Sequence, residues 1–359
     1  MVNIVSTIGP AILSPESLSA LLDAGTRVFR QNFSHGELEE KADIVKIVRK
    51  LAEEKGIANE VKILQDLPGP KIRLGNVDGI YETKVGEELI LDYSLKDAPS
   101  NNGNVIPVQY NLVGKIKVGD PVYINDGKVE TEVAEIMSEV AIKLVVKRAG
   151  VISTKKGLNL PTAVFTNEDI FTKKDLEIMK WGADKGYDWV AISFIQNADN
   201  MKEARKHLAN FGYAETTKLV AKIETRQATA SNQIIEDICK ESDVIMVARG
   251  DMGYEVGYWE VPVAQRKIIA AARKHNKETI VATQTMSSME KSPICTRSEA
   301  DNVEAAYVLG ADYVMTSEET AVGLYPTETT ATIRTLLDFA QENMEVISLE
   351  ELMRVAKFE

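Results

Sequence analysis

Val244-Ile245-Met246-Val247-Ala248 is an apolar strand that breaks off into Arg249-Gly250-Asp251-Met252-Gly253, a charged turn that leads into a short helix. The same arrangement recurs along the chain. Arg30-Gln31-Asn32-Phe33-Ser34-His35-Gly36 closes an earlier strand, and Asp66-Leu67-Pro68-Gly69-Pro70-Lys71-Ile72-Arg73 closes the next. Lys222-Ile223-Glu224 and Ala282-Thr283-Gln284 close later ones. Reactive side chains repeated at strand C-termini are how a (β/α)8 barrel builds one site from several loops.

Outward from these strand ends, β-branched runs alternate with amphipathic stretches. Strands are expected at Ile4 to Ile8, Arg27 to Phe33, Val61 to Asp66, Trp189 to Phe194, Lys218 to Ile223, Asp243 to Val247, Thr279 to Ala282 and Asp312 to Met315. Helices are expected at Pro15 to Asp23, capped by Ser14, and at Leu38 to Lys55, Lys173 to Ala183, Asp199 to Asn210, Val263 to His275 and Arg297 to Leu309. This alternation predicts an α/β fold, a (β/α)8 TIM barrel. Between residues 74 and 157 the rhythm changes. Turn signals such as Asn102-Gly103 and Asn125-Asp126-Gly127 separate short alternating strands, and no long helix fits. We read an all-β domain, a small β-barrel lid, inserted after the third strand. The expected division is 1–73 for the first part of the barrel, 74–157 for the insert, 158–345 for the rest of the barrel and 346–359 for a C-terminal helix.

The net charge of −12 argues against general affinity for nucleic acid, which needs a basic footprint. An acidic chain that binds an anionic substrate must concentrate positive charge locally, with help from a metal. Two cysteines, Cys239 and Cys295, make no disulfide framework and suit a reducing, cytoplasmic setting. The N-terminus shows no secretory pattern, and no apolar run approaches the roughly 18 residues of a membrane span.

Lys222 and Glu224 lie two apart at a strand end and so point the same way. The carboxylate suits a metal and the ammonium suits phosphoryl oxygens, although a buried structural ion pair explains the two equally well. Asp251 offers a second hard oxygen ligand for magnesium or manganese, its competing role being an N-cap. Arg30 and Arg73 are candidates for planar phosphate recognition beside Asn32, Ser34 and Asp66. Thr283 presents a hydroxyl at the end of an apolar strand. His35, His207 and His275 have no zinc-ligand spacing, and no Walker or kinase glycine loop is present.

Taken in order, these segments resemble the pyruvate kinases from Ile4 to about Pro326. The resemblance is carried by Ser6-Thr7-Ile8-Gly9-Pro10, Asn32 to Gly36, Gly69 to Arg73, Asn125-Asp126-Gly127, Lys156 to Pro161, Ser193-Phe194-Ile195, Lys222 to Glu224, Met246 to Gly253, Ala282-Thr283-Gln284, Pro293 to Glu299 and Ser317 to Thr320. It implies transfer of the phosphoryl group of phosphoenolpyruvate to ADP, with protonation of the enolate to pyruvate. By motif, Lys222 and Arg30 would carry the phosphoryl charge, and Glu224 and Asp251 would ligate magnesium or manganese. Gly250, Asp251, Thr283, Ser193 and Arg30 would hold substrate. Thr283, near Ser317 and Glu319, would assist proton delivery. Asn32, His35, Arg73 and Lys156 would face the nucleotide, and the insert would close as a lid.

Family members that bind potassium do so through residues matching Asn32, Ser34, Asp66 and the Leu67 carbonyl, with a glutamate where this chain has Lys71. The lysine implies activity without potassium. The chain ends at Glu359, so no response to sugar-phosphate effectors is expected, and a homodimer through the barrel is the expected assembly. Gln31, Pro68, Thr285, Asn302, Glu304, Ala305 and Glu318 depart from the family pattern without removing an assigned charge. Two other functions stand beside this reading. A metal-dependent lyase or aldolase acting on a pyruvate enolate would not need Lys222 beside the metal, and a degenerate binding protein would not need all of Arg30, Lys222, Glu224, Asp251 and Thr283.

Overall fold

The computed structural model describes residues 2–98, 103–163 and 165–343. Eight parallel strands close into a barrel: β1 (Asn3–Ile8), β2 (Thr26–Asn32), β3 (Lys62–Asp66), β4 (Trp189–Ile192), β5 (Lys218–Ile223), β6 (Val244–Ala248), β7 (Glu278–Ala282) and β8 (Tyr313–Met315). Closure is made by β1 against β8, with Asn3 opposite Tyr313. The helices that return the chain are α1 (Pro15–Asp23), α2 (Leu38–Glu54), α3 (Lys173–Gly182), α4 (Ala198–Phe211), α5 (Asn232–Glu241), α6 (Val261–Lys274), α7 (Arg297–Val308) and α8 (Pro326–Asn343). Of these, α5 and α8 were not singled out from the sequence. The anticipated helix near Val346 to Phe358 lies outside the described residues.

Successive strand side chains point to opposite faces. In β6, Val244, Met246 and Ala248 therefore enter the barrel interior, while Ile245 and Val247 pack outward against the helices. That interior row sets the site. Val28 on β2, Leu64 on β3 and Val220 on β5 belong to the interior cluster, so the next residues of the same parity, Arg30, Asp66 and Lys222, stand one layer higher. Glu224 follows Lys222 on the same face. The polar rim thus rests on a packed aliphatic floor.

Strand β4 stops at Ile192, two residues before the predicted Phe194. Phe194 takes a left-handed φ of 56°, and its N–H donates to Glu224 Oε1 at 2.8 Å. A charge at the rim thus turns the chain away from the ladder.

Between β3 and β4 the chain builds a curled six-stranded sheet and a two-stranded ribbon with a core of their own, which includes Leu89, Leu91, Ile106, Val122, Ile124 and Leu144. Entry and exit of this insert are tied together: Leu158 N donates to Ile72 O at 2.8 Å and Leu74 N to Lys156 O at 2.9 Å.

Phe29 is fully buried between the barrel and its helices. Phe29→Ala is expected to lower unfolding free energy by about 3–5 kcal/mol, measured by urea denaturation, because the ring leaves a cavity that its neighbours fill only in part.

Candidate active site

At the C-terminal rim of the barrel lies a cavity of about 820 Å³, lined by residues from several strand ends, among them Arg30, Asp66, Lys222, Glu224, Asp251 and Thr283. Its centre is a charge cluster. Arg30 Nε donates to Asp66 Oδ2 at 2.6 Å, and Arg30 Nη1 donates to Thr7 Oγ1 at 2.9 Å. Lys222 Nζ stands 3.2 Å from Asp66 Oδ1 and 3.7 Å from Glu224 Oε1, and donates to Ser193 Oγ at 2.6 Å. The Ser193 hydroxyl in turn donates a hydrogen bond to the Leu67 carbonyl at 2.6 Å.

Burial acts on every member, and partners decide the outcome. Burial alone would raise the Asp66 carboxyl, but Lys222 and Arg30 outweigh it and hold the group below its usual range. Burial would likewise depress the Lys222 ammonium, yet Asp66 and Glu224 keep its pKa raised. Glu224 differs. Desolvation dominates, Lys222 offsets only part of it, and the carboxyl is pushed up to about 7. Glu255, buried one turn beyond Asp251, is also raised to about 7 by desolvation.

Asp251 begins the other half of the site. Lys71 Nζ meets Asp251 Oδ1 at 2.9 Å and lies 4.0 Å from Asp126 of the insert. Asn159 Nδ2 reaches both Asp251 Oδ1 at 3.3 Å and Glu255 Oε1 at 3.2 Å. Burial works to raise the Asp251 carboxyl, and the Lys71 ammonium reverses this and lowers it. Thr283 Oγ1 accepts from Gly250 N at 2.7 Å and donates to Ala282 O at 2.6 Å.

The remaining sequence candidates divide. Asn32, Ser34, His35, Leu67, Lys71, Arg73, Gly250 and Ser317 line the cavity, whereas Lys156, Ser193 and Glu319 do not. Ser193 sits behind Lys222. Glu319 is buried under the rim, accepting from Met286 N at 3.0 Å and Ser317 N at 2.6 Å, so it supports the loop that carries Ser317. Lys71 does not bond to the Asn32–Ser34–Asp66–Leu67 group. Asp66 already faces two cations, and Asp251 is the carboxylate that Lys71 pairs with. The ammonium found at Asn32 is Lys41, which donates to the Asn32 carbonyl at 2.9 Å and whose pKa burial lowers to about 8. Lys41 was not foreseen, and neither were Asn159 and Glu255. Of these, only Asn159 lay inside a quoted motif.

Among the described residues no three metal-binding side chains converge. Glu224 and Asp251 supply two carboxylates, and the raised pKa of Glu224 marks negative charge that its neighbours leave incompletely balanced. Such a donor pair fits magnesium, which commonly takes one or two carboxylates and completes its shell from substrate and water.

The fold and this site define an α/β barrel with a charged cavity at its strand ends. A family model described as "Pyruvate kinase, barrel domain" matches residues 1–330. A pyruvate kinase of Agrobacterium vitis is 38% identical over 343 residues, covering 95% of this chain and 68% of that relative. One from Thermotoga maritima is 35% identical over 345 residues, covering 96% of this chain and 72% of the relative. A crystal structure of a pyruvate kinase from Cryptosporidium parvum superposes with a TM-score of 0.86 at 32% identity, covering 95% of this chain and 69% of that one. The chain belongs to the pyruvate kinase family, and its class is that of the phosphotransferases. No helix among the described residues is long and apolar enough to cross a membrane.

Glu224 sets a pH dependence in the metal-free protein. Its folded pKa of about 7 exceeds the ordinary 4.5, so between these values the folded chain holds a proton that the unfolded chain has released. Stability therefore falls as pH rises through that window. Glu224→Gln should flatten the fall, leaving the part due to Glu255, which has the same sign. Urea midpoints taken in chelator from about pH 5 to about pH 8 test this, and an unchanged slope in the variant would refute it.

Proposed function

We propose that this chain transfers the phosphoryl group of phosphoenolpyruvate to ADP and protonates the resulting enolate to give pyruvate. The observation that carries the proposal is the juxtaposition of Arg30 and Lys222 on one buried carboxylate, Asp66, with Glu224 beside them. Two cations pinned in this way keep their positions while charge moves across the cavity. Phosphoryl transfer depends on such positioning and charge neutralisation more than on covalent chemistry by the protein.

In this reading Lys222 and Arg30 receive the oxygens of the phosphoryl group. Glu224 and Asp251 would hold magnesium, which when bound neutralises phosphate charge and aligns the reacting oxygens. Lys71 would then leave Asp251 and share charge with the phosphates. The Gly250 and Asp251 amides, with Thr283, orient the substrate carboxylate. The Thr283 hydroxyl, near Ser317, serves the proton delivered to the enolate through water. Asn32, His35 and Arg73 face the nucleotide. The insert, residues 74–157, acts as a lid that excludes water, since water competes for the phosphoryl group. Lys71 and Asn159, which flank the insert on either side, both contact Asp251.

Lys222→Met is expected to lower kcat about a hundred- to a thousandfold in an assay with phosphoenolpyruvate, ADP and magnesium, the scale seen when one preorganised charge or donor is removed. Equal turnover in both proteins would remove the role of Lys222. With the Lys71 ammonium carried in the same cavity, rates in sodium and potassium salts should match, and strong activation by potassium over sodium would count against that part of the proposal.

A further inference from the structure

Thr283 and Gln284 both hold φ in the left-handed region, at 66° and 50°. That conformation is unfavourable for a β-branched residue and persists only where the surroundings over-determine it. The surroundings here are one buried guanidinium and one amide. Arg249 Nε donates to Ala282 O at 3.1 Å, and its Nη2 donates to Thr283 O and, at 3.4 Å, to Thr285 Oγ1. Its Nη1 donates to Asn302 Oδ1 at 2.6 Å and to Gln265 Oε1 at 3.4 Å. An arginine has five N–H donors, so all are used, and none meets a carboxylate. Asn302 completes the arrangement, its Nδ2 donating to Gln284 O at 3.1 Å and Thr285 O at 3.5 Å.

We infer that Arg249 and Asn302 are positioning residues that together grip four successive carbonyls, from Ala282 to Thr285, and so fix where the Thr283 hydroxyl stands over the cavity. The inference rests on the reading of Thr283 as a residue of proton delivery. An aspartate at 302 would still pair with Arg249 through one oxygen. Its other oxygen would face the Gln284 and Thr285 carbonyls, acceptor against acceptor. In this chain the amide therefore supplies donors that the aspartate usual at this place in the family would lack. Thr285 joins it from the other side, accepting from Arg249 while its hydroxyl donates to Met315 O at 2.8 Å on β8. Two of the departures from the family pattern, Thr285 and Asn302, thus converge on one arginine.

The test separates the two halves of the reaction. Proton delivery is followed as deuterium exchange into the pyruvate methyl group in heavy water with magnesium and ATP, and phosphoryl transfer as ATP formed in the first turnover from phosphoenolpyruvate and ADP. Asn302→Asp, which is isosteric, and Arg249→Lys are expected to slow exchange about tenfold or more while first-turnover ATP formation changes far less, because a small misplacement of a catalytic group is costly. Wild-type exchange in Asn302→Asp, with Thr283→Ala slow, would overturn the clamp alone. Wild-type exchange in Thr283→Ala would overturn the reading of Thr283 and the clamp's purpose with it. Equal loss in both half-reactions would mean a general structural role and would also overturn the inference. Should Arg249→Lys fail to fold, Asn302→Asp decides the matter.

Discussion

Asp66 carries two cations from two different strands, and the rest of the site depends on that arrangement. It is almost wholly buried, with Arg30 at 2.6 Å and Lys222 at 3.2 Å. A carboxylate taken out of water is tolerable only when it is paired and hydrogen-bonded, and each buried cation makes the same demand in return. Such a cluster contributes little net stability. What it supplies is geometry: β2, β3 and β5 must keep their registers, or one of three charges is left unmatched. The barrel floor of Val28, Leu64 and Val220 enforces those registers by packing, and the rim charges depend on it.

The rim backbone is held by side chains rather than by the sheet. Glu224 accepts from Phe194 N where the chain leaves β4, and Arg249 with Asn302 grips the carbonyls that follow β7. Both places carry left-handed residues that are not glycine. Strained backbone concentrates at functional sites because the surroundings can afford to over-determine it there. The same side chains that turn the loops also line the rim cavity or touch residues that do, so loop shape and cavity shape are coupled. On the opposite wall, Lys71 and Asn159, which flank the insert on either side, contact Asp251, so that carboxylate stands at the junction between the two cores.

Much of this was legible in the chain. Each barrel strand was visible as a short apolar run, and the change from alternating βα units to turn-rich β structure located the insert. Arg30, Asp66, Lys222, Glu224, Asp251 and Thr283 were identifiable because each terminates such a run and spacing by two places Lys222 and Glu224 on one face. Less visible were residues whose roles come from packing. Lys41 looks like one more surface lysine of a charged helix, yet it reaches the Asn32 carbonyl. Glu255 and Asn159 meet only because the insert returns over the loop after β6. Glu319, grouped with the proton-delivery residues, turned out to brace backbone N–H groups beneath the rim.

Sequence alone determined which residues would stand at the barrel's C-terminal rim, because strand parity and strand ends are local properties that propagate without knowledge of distant contacts. Only the tertiary structure decided which charge each of them takes. Lys71 lies on Asp251 rather than beside Asn32, Arg249 donates to carbonyls, side-chain amide oxygens and a hydroxyl, and Glu224 rather than Asp66 is left with the raised pKa. The Lys71–Asp251 and Arg249–Asn302 contacts join residues 180 and 53 positions apart. They depend on how burial and competing partners balance once the barrel has closed, a balance that no local pattern records.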